Sequence, residues 1–163
     1  VGVEIDKDIK KIEIGKGEIK YNSRLQITNY KLQTSCQTQN PKNILIIAIG
    51  SMVYPSVEAA KKLEAQGFSV TVINARFIKP LDKNLILSES KDKDLIVTVE
   101  EGCLQGGFGS AVIELIEDSK IKIPVTRIGL PDKFIEAGKR DFVLNKYGLS
   151  VVGIVSTVLG ENI

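Results

Sequence analysis

Hydrophobic positions along the chain fall into short continuous runs, separated by stretches with helical spacing. Residues 43–49 (NILIIAI) are apolar almost throughout and stop at Gly50-Ser51. A strand covered on both faces reads this way, because neither row of its alternating side chains meets water. Residues 68–73 (FSVTVI), 95–99 (LIVTV) and 123–128 (IPVTRI) repeat the pattern. Between them Val57, Ala59, Ala60 and Leu63 recur at helical spacing up to Gly67, a C-cap signal. Pro80-Leu81-Asp82 opens a helix through Leu85, Ile86 and Leu87, and a helix beginning near Ser110 carries Val112, Ile113, Leu115 and Ile116. Two more helices are expected over roughly 139–147 and 150–159. Strands alternating with helices predict an α/β domain of three layers, with a mostly parallel sheet of about five strands and helices on both faces.

Ahead of this alternation, Ile12, Ile14 and Ile19 around Gly15 and Gly17 predict a hairpin from residues 11–14 and 18–21. The stretch 33–41 (QTSCQTQNP) is polar and uncharged, too poor in apolar groups to offset the entropy of ordering. The expectation is one domain over 1–163 with a mobile polar insertion at 22–43.

Composition narrows the chemistry. The 163 residues are 43% hydrophobic and 26% charged, the balance of a globular domain able to bury a core without staples. Histidine is absent, which excludes imidazole-based triads, Cys/His nucleophiles and HExxH zinc sites within these residues. Lys plus Arg is 22 against 20 for Asp plus Glu, too even for a nucleic-acid partner, and aromatic residues at 6% are too sparse for a base-stacking surface. Cys36 and Cys103 lack CxxC spacing, so neither a metal site nor a disulfide framework is expected. No uninterrupted apolar run approaches the roughly 18 residues of a membrane span, and no membrane partner is expected. The first residue is not methionine, which suggests a piece of a longer protein.

In open α/β sheets ligands bind beyond the carboxyl ends of the strands. Three segments belong there: Gly50-Ser51-Met52, residues 100–109, and Gly129-Leu130-Pro131-Asp132. Gly106, Gly107 and Gly109, followed by Ser110, permit close approach of an anion at a helix N-terminus, or of another stretch of backbone. The run is neither GxGxxG nor a Walker motif, since Val112 stands where the third glycine would fall. Glu100 and Glu101, adjacent at a strand end, point to opposite faces and form no convergent acid/base pair; a solvated or interface role is expected. Ser51 is expected to cap the next helix, no base accompanying it for nucleophilic work, and Asp132 reads as a turn or cap residue. Arg76 and Lys79 suggest a polar interface. From the residues alone the eight candidates, Ser51, Glu100, Glu101, Gly106, Gly107, Gly109, Ser110 and Asp132, make an interface or an anion loop rather than a complete active site.

Five segments carry a resemblance. They are residues 13–18 (EIGKGE), 48–52 (AIGSM), 74–82 (NARFIKPLD), 97–102 (VTVEEG) running on into 106–112 (GGFGSAV), and 129–136 (GLPDKFIE). In this order and spacing the chain resembles the C-terminal domain of the 1-deoxy-D-xylulose-5-phosphate synthases, thiamine diphosphate enzymes of the transketolase superfamily. Transketolases and the β chains of 2-oxoacid dehydrogenases, which share the domain, match the third and fifth segments less well and stand as alternatives, with a free-standing anion-binding module as another.

The resemblance implies a parent transferase that condenses pyruvate with D-glyceraldehyde 3-phosphate and releases carbon dioxide, feeding isoprenoid, thiamine and pyridoxal synthesis. It implies thiamine diphosphate and Mg²⁺ bound by N-terminal and middle domains, a homodimer, and an inactive C-terminal piece that binds neither and packs against those domains. No catalytic, cofactor or metal residue carries over. Two departures are the long polar stretch 22–43 and Ala137, where many members carry histidine or glutamine. A bacterial cytoplasm or a plastid- or apicoplast-like organelle is the expected setting.

Overall fold

A computed structural model of the chain describes residues 11–23 and 43–161. The predicted insertion at 22–43 lies almost wholly outside them. The apolar runs form the parallel strands: β2 (Asn43–Ala48), β3 (Ser69–Asn74), β4 (Leu95–Cys103) and β5 (Val125–Leu130), after an N-terminal β1 (Glu18–Asn22). Helices α1 (Val53–Glu64), α2 (Lys83–Ser90) and α3 (Phe108–Asp118) alternate with them, and α4 (Arg140–Lys146) and α5 (Val151–Leu159) close the chain. The strand order is β1-β3-β2-β4-β5, with β1 antiparallel to β3 and the other pairs parallel.

Alternation along β2 explains the three layers. Ile44, Ile46 and Ala48 pack on one face with Ala59, Leu63, Ile154 and Val158 from α1 and α5. Leu45 and Ile47 pack on the other with Ile86, Phe108, Val112 and Ile116 from α2 and α3. Ile44, Leu45, Ile46 and Ile47 are each 0% exposed, and burial of such a side chain stabilises by roughly 2 kcal/mol relative to leaving it in water. Two rows of this kind make β2 the centre of the sheet.

The predicted hairpin does not form. Residues 11–17 hold no strand, and β1 pairs with β3, Glu18 opposite Asn74 and Asn22 opposite Thr71. Several contacts distant in sequence favour that pairing. The Gly17 N–H donates to Asp82 Oδ2 at 3.2 Å, while Asp82 Oδ1 caps α2 by accepting from the Leu85 N–H at 3.1 Å. Arg76 pairs with Glu18, and the Tyr21 hydroxyl donates to Glu64 on α1. Burial, then the Glu64 carboxylate, pushes the Tyr21 phenol up from its ordinary value. Arg76, expected at a polar interface, pairs with Glu18 of its own chain instead.

Three boundaries move. The last strand begins at Val125 rather than Ile123, α3 begins at Phe108 rather than near Ser110, and β4 runs on to Cys103 through an irregularity after Val99. The stretch Arg140–Leu159 has a mean hydropathy of 1.5 over its most apolar window, the composition of a membrane span. It is broken at 147–150 into α4 and α5, of seven and nine residues. Neither piece reaches the roughly 20 residues that cross a bilayer.

Candidate functional site

The parallel strands grow outward in both directions from β2, so the chain's topological switch point lies between the carboxyl ends of β2 and β4. That crevice is where open α/β sheets place ligands. Here it is a cleft of about 310 Å³ whose walls include Gly50, Ser51, Ile78, Glu100 and Glu101. Three of the eight candidate residues, Ser51, Glu100 and Glu101, line it, and the chain closes it with its own groups.

Glu100 is the first closure. In the β4–β5 register Val99 faces Ile128 and Cys103 faces Leu130, so Glu100, Glu101 and Gly102 stand opposite Gly129 alone. The resulting bulge leaves Glu100 buried at 4% exposure and Glu101 in solvent. The Glu100 carboxylate accepts from the Phe108 N–H at 2.8 Å and the Gly109 N–H at 2.7 Å. These are unpaired donors of the first turn of α3, where the helix dipole favours negative charge. A solvated or interface role is expected of Glu100 from the sequence; in the fold it is buried and caps α3 of its own chain. The position an anion would take at this turn is filled by a carboxylate of the same chain.

The glycines follow from that closure. A Cβ on Gly107 would lie 2.0 Å from the Cys103 carbonyl oxygen and 2.5 Å from Glu100 Oε2. One on Gly109 would lie 2.6 Å from Thr98 Oγ1. Gly106 is different: its φ of +69° requires the left-handed region but open space surrounds it. Ser110 Oγ donates to the Leu104 carbonyl at 2.9 Å, and Arg127 Nη1 donates to the same carbonyl at 2.6 Å and to Ser110 Oγ at 3.0 Å. Leu104, Phe108, Gly109 and Ser110 are therefore held from inside the chain.

Glu101 is the second closure. It accepts from Ser51 Oγ at 2.5 Å and from Arg140 Nε at 3.1 Å, with a second, shorter bond from the Arg140 guanidinium. Arg140, with help from Ser51, holds the Glu101 carboxyl below its ordinary value of 4.5. Ser51 lies in a 3₁₀ turn (Gly50–Met52) and caps no helix, contrary to expectation; Met52 precedes α1 without a side-chain cap bond. Asp132 caps no helix but sits in a bend after β5, the turn half of its expected role. Its Oδ1 is 3.9 Å from Cys103 Sγ, beside a separate cavity of about 590 Å³ walled by Cys103, Leu130 and Phe134.

Sequence reasoning missed Arg127 and Arg140. Arg140 meets Glu101 across 39 positions, and no local signal announces such a pair. Among the described residues no group of three or more Cys, Asp or Glu could hold a metal ion.

The arrangement has counterparts. Residues 35–154 match the family model for the transketolase C-terminal domain. A 1-deoxy-D-xylulose-5-phosphate synthase from Halothermothrix orenii is 43% identical over 159 residues, covering 97% of this chain and 22% of that protein. One from a Synechococcus strain is 50% identical over 115 residues, covering 71% of this chain and 18% of that protein. A solved split-gene transketolase, described as an inactive β4 tetramer, superposes with a TM-score of 0.73 at 30% identity, covering 93% of this chain and 43% of its own. The chain thus spans about a fifth of the length of the synthases it matches.

Proposed function

Because the chain belongs to the transketolase C-terminal domain family, we propose that it serves as that domain in a 1-deoxy-D-xylulose-5-phosphate synthase. The whole protein would condense pyruvate with D-glyceraldehyde 3-phosphate, with loss of carbon dioxide. Thiamine diphosphate would supply the carbanion chemistry, held with Mg²⁺ by domains outside this chain. Identity of 43% to a synthase over 97% of the chain favours the synthase over a transketolase or a dehydrogenase β chain. The self-association in the name of the split-gene transketolase supports a homo-oligomer, and bacterial relatives support a cytoplasmic setting.

One observation carries the domain's own role. At the switch point, where an α/β domain would grip a diphosphate, the two helix N–H groups are taken by Glu100. The residues present do not fit the cofactor. They fit a rigid wall that supports the neighbouring domains, and the same closure argues against a free-standing anion-binding module. The test is an assay with pyruvate, glyceraldehyde 3-phosphate, thiamine diphosphate and Mg²⁺. The full-length protein forms deoxyxylulose phosphate and residues 1–163 alone form none; turnover by the short chain overturns the non-catalytic role, and an inactive full-length protein overturns the synthase.

A further inference from the structure

The segment between β5 and the body of α4 is attached differently from the rest of the domain. From 131 to 143 no residue is buried, and Pro131, Ile135 and Val143 alone are partly so. Both ends are fixed. The Leu130 carbonyl accepts from the Leu104 N–H at 2.8 Å before the segment, and Leu144, 7% exposed, enters the core after it. A stretch with fixed ends and no buried side chain opens at a lower free energy than the core that carries it.

Side-chain contacts show where the segment is held. Arg140 donates to Glu101 on β4, from Nε at 3.1 Å and through a second, shorter bond, and Ser51 Oγ donates to the same carboxylate at 2.5 Å. Asp132 Oδ1 stands 3.9 Å from Cys103 Sγ, too far to add much. The other printed partners lie at the end of α4. Glu136 accepts from Lys146 and from the Tyr147 hydroxyl, the latter at 2.9 Å, and Lys133 lies 5.3 Å from the centre of the Tyr147 ring. The segment is thus folded onto α4 and joined to the sheet at one charged point.

We propose that residues 131–143 form a strap across the carboxyl edge, hinged at Leu130 and Leu144 and latched by Arg140 on Glu101. With the latch closed, the strap walls the cavity of about 590 Å³ against Cys103 and Leu130. With the latch open, that cavity loses a wall, and Glu101 in the switch-point cleft is released from Arg140. The Glu100 cap lies wholly within β4 and α3 and stays in place in both states. The latched side chains are 54% and 32% exposed. Water and salt screen such a pair, so it opens while the core stays folded.

Limited chymotrypsin digestion of the 163-residue chain, with the cut sites mapped by mass spectrometry, tests the strap. Cleavage after the wholly exposed Phe134 reports its opening, and cleavage after Phe108, 0% exposed, reports unfolding of the whole domain. Where opening and closing outpace cleavage, each rate follows the population of its open form. Glu101→Gln keeps the shape and removes the charge. It should raise cleavage after Phe134 about twofold or more, with no change after Phe108. The reversed pair E101R/R140E should return cleavage to the parent rate. No rise after Phe134, or an equal rise after Phe108, would overturn the strap. A rise that the reversed pair fails to correct would overturn Arg140 as its latch.

Discussion

The two ends of the sheet are built from the same kind of connection and finished differently. At the amino edge the turns at 65–67, 91–94 and 119–122 expose Gln66, Lys91, Asp92, Lys120 and Lys122, while Phe68, Ile121 and Ile123 tuck partly against the core. The Asp94 carboxylate accepts from the Asn43 N–H at 2.8 Å, and buried Lys93 donates to Thr71 Oγ1 at 2.7 Å. At the carboxyl edge Glu100 and Glu101 turn onto partners within the chain, while Tyr54, Ile78 and Phe134 stand exposed beside Lys79, Lys133 and Lys139. A surface meant for water is finished as the first. The second joins its two strand-end glutamates to groups of the same chain and leaves large apolar side chains exposed.

The largest contrast is expected at the glycines. Gly107→Ala at the carboxyl edge has no space, its Cβ falling 2.0 Å from a backbone oxygen; overpacking of this kind costs about 3 kcal/mol. Gly67→Ala at the amino edge meets open space, with a φ of +92° as its handicap, and left-handed strain costs about 1 kcal/mol. Denaturant unfolding of the two variants checks the pair, and equal losses would remove the distinction between a packed edge and an open one.

A smaller effect probes the outer closure. Arg140→Ala removes an exposed pair to Glu101, worth about 0.5 kcal/mol near neutral pH. Because Arg140 depresses the folded-state carboxyl, its contribution is present above the ordinary value of 4.5 and is lost as pH falls through the lower folded value. The stability gap between the parent chain and R140A should therefore be widest near neutrality and close on acidification. A gap that persists at the acid end would make Arg140 a packing residue instead.

These contrasts also show what could be read before the structure. The runs at 43–49 and 95–99 announce central strands because two-sided burial leaves no polar row. The N-terminal hairpin fails because alternation marks a strand without naming its partner; β1 found β3, some fifty residues on, through Glu18–Arg76 and Gly17–Asp82. The glycines at 106–109 signal close approach in either reading, but whether an external anion or an internal Glu100 approaches depends on where a bulge turns one side chain. Ser51 looks like a cap because it follows a strand, and only the arrival of Glu101 from β4 gives it a different partner.

The filled carboxyl edge is tested most directly by titrating residues 1–163 with inorganic phosphate and with thiamine diphosphate while following the Phe108 and Gly109 amides by NMR. With Glu100 seated on both N–H groups, neither resonance should move beyond the general salt response seen at Gln66. A saturable shift confined to Phe108 and Gly109 would show that an external anion displaces Glu100, and the closed edge would be an open site.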